Sequence, residues 1–496
     1  MKPMSNGMKN AKADSVIELE DAGYSKKLTA RQINMIAIGG SIGTGLFLGA
    51  GERLEAAGPS LIFSYAVCGI FAFFILRALG ELVLHRPTSG SFISYAREFY
   101  GEKAAFVSGW FYWIVWATTT IVDITAAAIY MNFFGKYVAW IGSVPQWLWA
   151  LIALVLVLSL NLVSVKVFGE LEFWFSLIKV AALVAFMLIG IYFVVLGTPI
   201  DGHEPGLGLI AQNGGLFPNG LLPMIMLMQG VVFAFASVEL VGTAAGETEN
   251  PEKIMPKAIN AVILRIGVFY VGSVGLLAML LPYTYYKAGE SPFVTFFSTL
   301  GIQGTDVIMN LVVLTAALSS LNAGLYSTGR TLRSMAMAGS APRMARTLSR
   351  SGVPVGGIVL TACVALIGIP LNYLMPGDVF EIVLSIAAVG IIVAWGTIVL
   401  CQLQLQRWAN QGRLIRPAFR LMGAPYTGYA TLLFLGIVLI MVFVESPPTL
   451  VATIVCSLLI SMGWFACRGR IAAIAKTGFY RVSLHEDPNE RGRNTD

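Results

Sequence analysis

The chain has 496 residues, 56% of them hydrophobic and 12% charged, with a formal net charge of +6. Soluble domains carry about 25% charged residues, so a chain this long and this apolar lacks the polar cover a water-facing surface needs. Its Lys and Arg form no long polybasic run but gather at the ends of apolar stretches, which argues against a nucleic-acid partner and for a lipid bilayer.

About 20 apolar residues in a helix cross a hydrocarbon core of roughly 30 Å, and in lipid the backbone must pair internally. The runs here are continuous rather than alternating, which excludes the strands of a membrane barrel. An all-α membrane protein is therefore expected. Its twelve spans fall at 33–56, 60–84, 104–134, 146–164, 171–197, 221–247, 258–282, 304–338, 355–375, 379–405, 425–445 and 447–467. The third and eighth are long and tilted, or run on beyond the lipid. Arg86 to Lys103 reads as a polar surface helix, and Asp201 to Gly220, rich in Gly, Pro and Asn, as an irregular loop. The N-terminal stretch Met1 to Leu28 has no signal-peptide pattern, so the first span directs insertion.

Arg86, Arg97, Lys103, Lys166, Lys253, Lys257, Arg343, Arg346, Arg350 and Arg407 lie in loops on the side of the N-terminus, while Lys136 and Lys287 lie on the other. The positive-inside rule then puts both termini in the cytoplasm. The five cysteines sit in or beside the spans without metal-like spacing and read as buried structural thiols.

Span one contains Gly39, Gly40, Gly43 and Gly45 within seven residues, along with Ser41, Ile42 and Thr44. Each glycine weakens a helix by about 1 kcal/mol relative to alanine. A nucleotide-binding turn is excluded because no strand precedes it. Close packing through small residues is one explanation. The other is an unwound segment near the bilayer midplane, where bare amides at a half-helix N-terminus hold a carboxylate. Span six is interrupted in the same way at Phe233, Ala234, Phe235, Ala236 and Ser237, with Glu239 inside it. Paired interruptions at corresponding positions, with spans 1–5 and 6–10 as inverted repeats, point to a carrier site.

A charge in a spanning helix costs about 2.5–3.5 kcal/mol, so each one needs a reason. Glu81 follows Arg77 by one turn and reads as a structural ion pair, and Glu381 lies near enough to a span end to reach water. Asp123 shares a helical face with Thr119 and Thr120, which lines a cavity or forms an interhelical network. Lys179 lies well inside span five; it either snorkels to the surface or gains and loses a proton during a working cycle. Glu247, Glu249 and Lys253 suit a gate at the cytoplasmic end.

Several stretches together are specific: Ile36–Gly49 (IAIGGSIGTGLFLG), Arg77–Leu82 (RALGEL), Glu172–Lys179 (EFWFSLIK), Glu247–Pro251 with Pro256–Asn260, and Ser319–Tyr326 (SSLNAGLY). Through them the chain resembles, over essentially its whole length, the amino acid permeases of the amino acid–polyamine–organocation superfamily. The resemblance implies two inverted five-helix repeats plus two peripheral helices, with spans 1 and 6 unwound at the midplane, and proton-coupled uptake by alternating access. It divides the chain into a cytoplasmic tail (1–30), a transport core (31–405), peripheral helices (406–467) and a second cytoplasmic tail (468–496), in a bacterial inner membrane. Leu82–Phe92, Ser94–Phe99, Ile121–Thr125 and Arg333–Met337 are similar to the branch that carries L-asparagine, with GABA, glycine, serine or an aromatic amino acid as alternatives.

By motif position the resemblance implies that Gly43, Thr44 and Gly45, with Ile42, meet the substrate carboxylate. The carbonyls of Ser41 and of Phe233 to Ala236 would meet its ammonium, and Phe233 or Phe235 would act as an aromatic gate. Thr119, Thr120, Asp123 and Asn322 would read a carboxamide. Lys179 and Glu239 would couple transport to protons, with no cofactor or metal beyond the proton itself. A channel or a membrane enzyme is the rival of another class. His85, His203 and His485 all lie outside the spans, which gives an enzyme little to work with.

Overall fold

The structure is a computed structural model that describes residues 42–485 apart from 89, 241, 243–250 and 377–378, with backbone alone at 251, 263 and 476–485. Residues 1–41, among them Gly39, Gly40 and Ser41, and Glu247, Glu249 and 486–496 lie outside the described residues, and the expected C-terminal tail starts inside the helix Pro447–His485. Ten stretches are long and apolar enough to cross a bilayer. Gly58, at φ +63°, divides the first of these into two helices, and Leu221–Ala234 adds a shorter apolar piece.

The expected spans appear in order. Span 1 is Thr44–Phe47 and Gly49–Ala57, kinked at Leu48. Span 2 is Leu61–His85, span 3 Glu102–Phe133, span 4 Gln146–Val163 and span 5 Val165–Leu196. Span 6 is Leu221–Met226 and Met228–Ala234, after which the chain leaves helical geometry through residues 235–239. Span 7 runs Pro251–Arg265, a π-helical stretch Ile266–Gly272, and Ser273–Leu280. Span 8 is Thr305–Met337, span 9 Val355–Ala365 with Gly368–Leu374, span 10 Val379–Asn410, span 11 Tyr426–Glu445 and span 12 Pro447–His485.

The packing obeys a two-fold rule that exchanges spans 1–5 with spans 6–10. Span 3 packs on span 8, span 2 on span 7 and span 1 on span 6, each pairing mapping onto itself. Span 3 also packs on spans 4 and 10, and span 8 on the equivalents 9 and 5. Span 10 reaches span 2 as span 5 reaches span 7. Spans 1, 2, 6 and 7 thus form one bundle, spans 3, 4, 8 and 9 a second, and spans 5 and 10 bridge them. Five spans is an odd number, so the second repeat enters from the opposite side and is inverted. In span 3, 78% of the most apolar window is buried, against 6% in span 12, which places span 3 at the centre and span 12 against lipid.

Several expectations need correction. Arg86 to Lys103 does hold a helix, Ser91–Tyr100. It is not a surface helix, because Phe92, Ile93, Tyr95, Ala96 and Arg97 are buried against spans 3 and 10. Glu81 does not pair with Arg77. Its carboxylate accepts from Arg416 Nε at 2.5 Å, Gln402 Nε2 at 3.0 Å and the Leu421 amide at 2.8 Å, tying the 10–11 loop to span 2. Arg77 instead lies on the Phe419 ring and donates to the Arg420 carbonyl. The loop 201–220 contains a short helix, Leu207–Gln212. Only Cys68 and Cys401 are buried; Cys363 is exposed.

Candidate helix-break site

Among the described residues span 6 is interrupted after Ala234, and the span 1 helix that begins at Thr44 meets it there. Gly43 is extended (φ −129°, ψ −160°) and starts the half-helix Thr44–Phe47 with no side-chain cap. The first amides of a helix have no intrahelical acceptor. Those of Leu46 and Phe47 turn back to the Gly43 carbonyl at 3.2 Å, so Thr44 and Gly45 carry the first-turn amides at the cleft. A methyl group built on Gly45 would stand 2.6 Å from Ala234 Cα, so the two spans touch backbone to backbone. In span 6 the Phe233 carbonyl accepts from Ala236 N at 2.9 Å, and the chain then passes through Ser237 at φ +79°. A non-glycine residue in that region is strained, and such strain persists where surrounding structure holds it.

Between the two helix ends lies a narrow cleft with room for about one water molecule. Gly43, Thr44, Gly45, Thr119, Phe233, Ala234, Ala236, Ser237 and Ser320 line it. Thr44 Oγ1 donates to Asp123 Oδ1 at 3.0 Å, which pins the half-helix to span 3. Asp123 Oδ2 and Thr119 Oγ1 are buried without a protein partner among the described residues. An unpaired buried group of this kind costs about 1–3 kcal/mol, and Ser320, on the same wall, is a hydrogen-bonding neighbour of the Asp123 carboxylate.

Of the residues expected here, the structure brings together Gly43, Thr44, Gly45, Thr119, Asp123, Phe233, Ala234 and Ala236; Ile42 is buried beside them. Three others are placed elsewhere. Phe235 turns away from the cleft to stack on Tyr270 (4.5 Å) and meet Tyr65 edge-on, leaving Phe233 as the ring at the gap. Thr120 Oγ1 is spent on its own helix, donating to the Trp116 carbonyl at 2.7 Å. Asn322 faces span 4, where its carbonyl and side-chain oxygens both accept from Asn161 Nδ2 at 2.9 Å.

Lys179 is 1% exposed and so does not snorkel. Its Nζ donates to Ser319 Oγ at 3.0 Å, and that hydroxyl donates to Glu172 Oε1 at 2.8 Å. The ammonium acts electrostatically on both Glu172 and Asp123. Glu239 stands apart, held by Tyr112 OH and Trp395 Nε1, each at 3.3 Å.

Sequence reasoning missed Arg53, Glu172 and Ser320. Arg53 is buried in span 1, and its Nη1 donates to the Gly45 carbonyl at 3.1 Å. Methyl groups on Gly49 or Gly230 would come within 2.3 Å of its guanidinium, which therefore fills the crevice between spans 1 and 6. Half-buried Glu381 and the span 11 residue Glu445 feel its charge. The signal was available: Glu52 and Arg53 are charges inside an expected span, where each needs a reason. Glu172 precedes Lys179 by two turns and so shares its face.

Residues 32–471 match the amino acid permease family. L-asparagine permease 1 of Mycobacterium tuberculosis (strain ATCC 25618 / H37Rv) is 59% identical over 92% of this chain and 93% of its own length. The L-asparagine permease of Escherichia coli (strain K12) is 56% identical over 93% of this chain and 92% of its own. That of Streptomyces coelicolor (strain ATCC BAA-471 / A3(2) / M145) is 54% identical over 91% and 92%. Among solved structures, the Eremococcus coleocola manganese transporter in complex with an aromatic bis-isothiourea substituted compound matches with a TM-score of 0.54 and 13% identity. It covers 91% of this chain and 94% of that one, a likeness of fold alone.

Proposed function

The chain belongs to the amino acid permease family, and from that premise we propose that it imports L-asparagine by proton symport across a bacterial inner membrane, with both termini cytoplasmic. Membership of a carrier family favours this reading over a channel or an enzyme. The names of relatives 54–59% identical over nearly the whole chain support asparagine as the substrate.

One observation carries the site assignment: the start of the helix at Thr44 touches the end of the broken span 6 helix at Gly45 and Ala234, beside a Thr119 hydroxyl and an Asp123 oxygen without a protein partner among the described residues. The substrate carboxylate accepts from the Thr44 and Gly45 amides, favoured by the half-helix dipole. Asp123 and the carbonyls of the span 6 break take the ammonium, and Thr119 with Ser320 hydrogen-bonds the carboxamide. Entry requires Phe233 to move, since the cleft as it stands holds about one water. Arg53 grips the Gly45 carbonyl from behind and keeps the half-helix aimed.

Proton coupling is assigned in this reading to the buried Asp123, Glu172 and Lys179 cluster. If Asp123 and Glu172 were both ionised beside a protonated Lys179, the buried cluster would carry a net negative charge, which burial disfavours. One additional proton neutralises it, and Thr44 links it directly to the substrate-binding helix. Coupling requires that the proton bind the outward and inward states with different affinity; rearrangement of Thr44 against Asp123 supplies that difference.

Purified full-length protein in proteoliposomes tests this. Labelled asparagine uptake is expected to saturate, to be driven by an inside-alkaline gradient and to stop with a proton ionophore. Uptake unchanged after collapse of the gradient rejects coupling, and stronger transport of another amino acid in a competition panel rejects asparagine.

A further inference from the structure

Span 7 widens into π-helical geometry over Ile266–Gly272, between Pro251–Arg265 and Ser273–Leu280. Such turns are rare and recur at functional sites. Gly267 and Gly272 lie five residues apart within it, and a methyl on Gly272 would stand 3.5 Å from the Gly267 carbonyl oxygen. Ser273 Oγ donates to the Phe269 and Tyr270 carbonyls at 2.5 and 3.2 Å, which ties down the end of the wide turn.

This stretch presents Tyr270 to the span 6 break. The side chain is 1% exposed, its ring stacks on Phe235, and its hydroxyl donates to the Ala234 carbonyl at 3.2 Å. Ala234 ends the helix Met228–Ala234, where a carbonyl has lost the amide one turn on. A phenol from span 7 thus fills the place left by the interruption. Ala234 also lines the cleft, and its carbonyl is among those assigned above to the substrate ammonium. A charged donor bonds a carbonyl more strongly than a neutral phenol does.

A displaced phenol needs a new acceptor, and one stands beside it. Tyr65 of span 2 is fully buried, its ring centre 6.1 Å from that of Tyr270. Its hydroxyl has no hydrogen-bond partner in good geometry among the described residues, with the Arg53 guanidinium as its charged neighbour. Span 2 is fixed against span 6 here, since Ser64 Oγ donates to the Met224 carbonyl at 2.6 Å. It also meets the start of the wide turn: a methyl on Gly69 would stand 2.4 Å from Ile266 Cγ2.

We propose that Tyr270 is a positioning residue that holds the place of the substrate ammonium. It caps the Ala234 carbonyl while the cleft is empty and passes to the Tyr65 hydroxyl when the ammonium arrives. The wide turn of span 7 supplies the slack, because tightening it toward α geometry re-aims the residues within it. The proposal rests on the reading that the span 6 carbonyls take the ammonium of an imported amino acid.

Uptake by the full-length protein in proteoliposomes tests this, with asparagine as substrate and succinamate, the same molecule without its amino group, as competitor. Wild type is expected to prefer asparagine. Tyr270→Phe removes the placeholder, so asparagine no longer displaces a hydrogen bond. Its KM is expected to fall about fivefold, kcat to fall with slower release, and the succinamate inhibition constant to stay unchanged. Tyr65→Phe removes the second acceptor and is expected to raise the asparagine KM by about as much. In the double variant the Tyr65 change is expected to add nothing to Tyr270→Phe. An asparagine KM that stays or rises in Tyr270→Phe, equal shifts for both ligands, or an additive double variant overturns the exchange. If Tyr270→Phe does not fold, Tyr65→Phe alone decides, and an unchanged preference for asparagine over succinamate overturns it. Succinamate matching asparagine on wild type overturns the ammonium assignment beneath the proposal, and no asparagine uptake by wild type overturns the transport reading itself.

Discussion

Gly45 and Ala234 lie so close that no side chain fits between them: an added methyl would stand 2.6 Å from the Ala234 Cα. The contact joins two spans nearly 190 residues apart, at the first turn of the helix that begins at Thr44 and the last residue of the helix that ends at Ala234. Its partner is backbone and cannot rotate away, so substitution must push the spans apart at a cost of about 1–3 kcal/mol. Gly45→Ala is expected to fold and to lose asparagine uptake by about tenfold or more in proteoliposomes. Near-normal uptake would remove the break from the binding site.

Arg53 is expected to act through geometry more than through charge. Its fork fills the crevice between Gly49 and Gly230 while bonding the Gly45 carbonyl. A lysine keeps the charge but not the fork. Arg53→Lys should therefore raise KM for asparagine at least severalfold, and Gly230→Ala, which displaces the guanidinium, should do the same. If Arg53→Lys transports like wild type, the carbonyl grip has no role.

The Lys179, Glu172 and Asp123 cluster predicts a change in pH response. External acidification supplies the coupling proton, so wild-type uptake should rise as external pH falls. Removing the ammonium by Lys179→Ala leaves two unrelieved buried carboxylates, and Glu172→Gln fixes the cluster nearer neutrality. In both, the acid stimulation should flatten. Uptake against external pH at constant internal pH measures this, and an unaltered slope in both variants would exclude the cluster from coupling.

Neighbouring threonines should behave differently. Thr119 faces the cleft with a free hydroxyl, whereas Thr120 is bonded within its own helix. Thr119→Val should weaken asparagine by about tenfold, the worth of one good hydrogen bond to a polar substrate, while leaving alanine or another apolar competitor nearly unaffected. Thr120→Val should change neither. Competition assays on both variants decide between them.

At the far end of the bundle the prediction concerns stability. Glu81 is fully buried and is the shared acceptor for Arg416, Gln402 and the Leu421 amide. Breaking a buried pair by removing one partner costs about 3–5 kcal/mol. Glu81→Ala should lower the Tm of the detergent-solubilised protein well beyond Arg77→Ala, which disrupts a half-buried stacking contact. Equal shifts would return the ion pair to Arg77.

The spans and the span 6 interruption were legible in the chain because lipid imposes a local rule. Each segment must satisfy its own backbone and hide its own charges, so length, hydropathy and a run of small residues speak for themselves. The stretches around Gly43 and Gly45 and around Phe233 stand out on that ground, while their substrate roles come from the family resemblance. Partner choice obeys no local rule. Glu81 lies one turn from Arg77 yet bonds Arg416, 335 residues away; Thr119 and Thr120 are adjacent, yet one faces the cleft and the other does not. Asn322 turned to Asn161 and Phe235 to Tyr270 because helix rotation is decided by packing between spans. Sequence determined where the chain crosses the membrane and where it breaks; only the tertiary structure decided which side chains meet there, since that depends on contacts between segments that no single segment encodes.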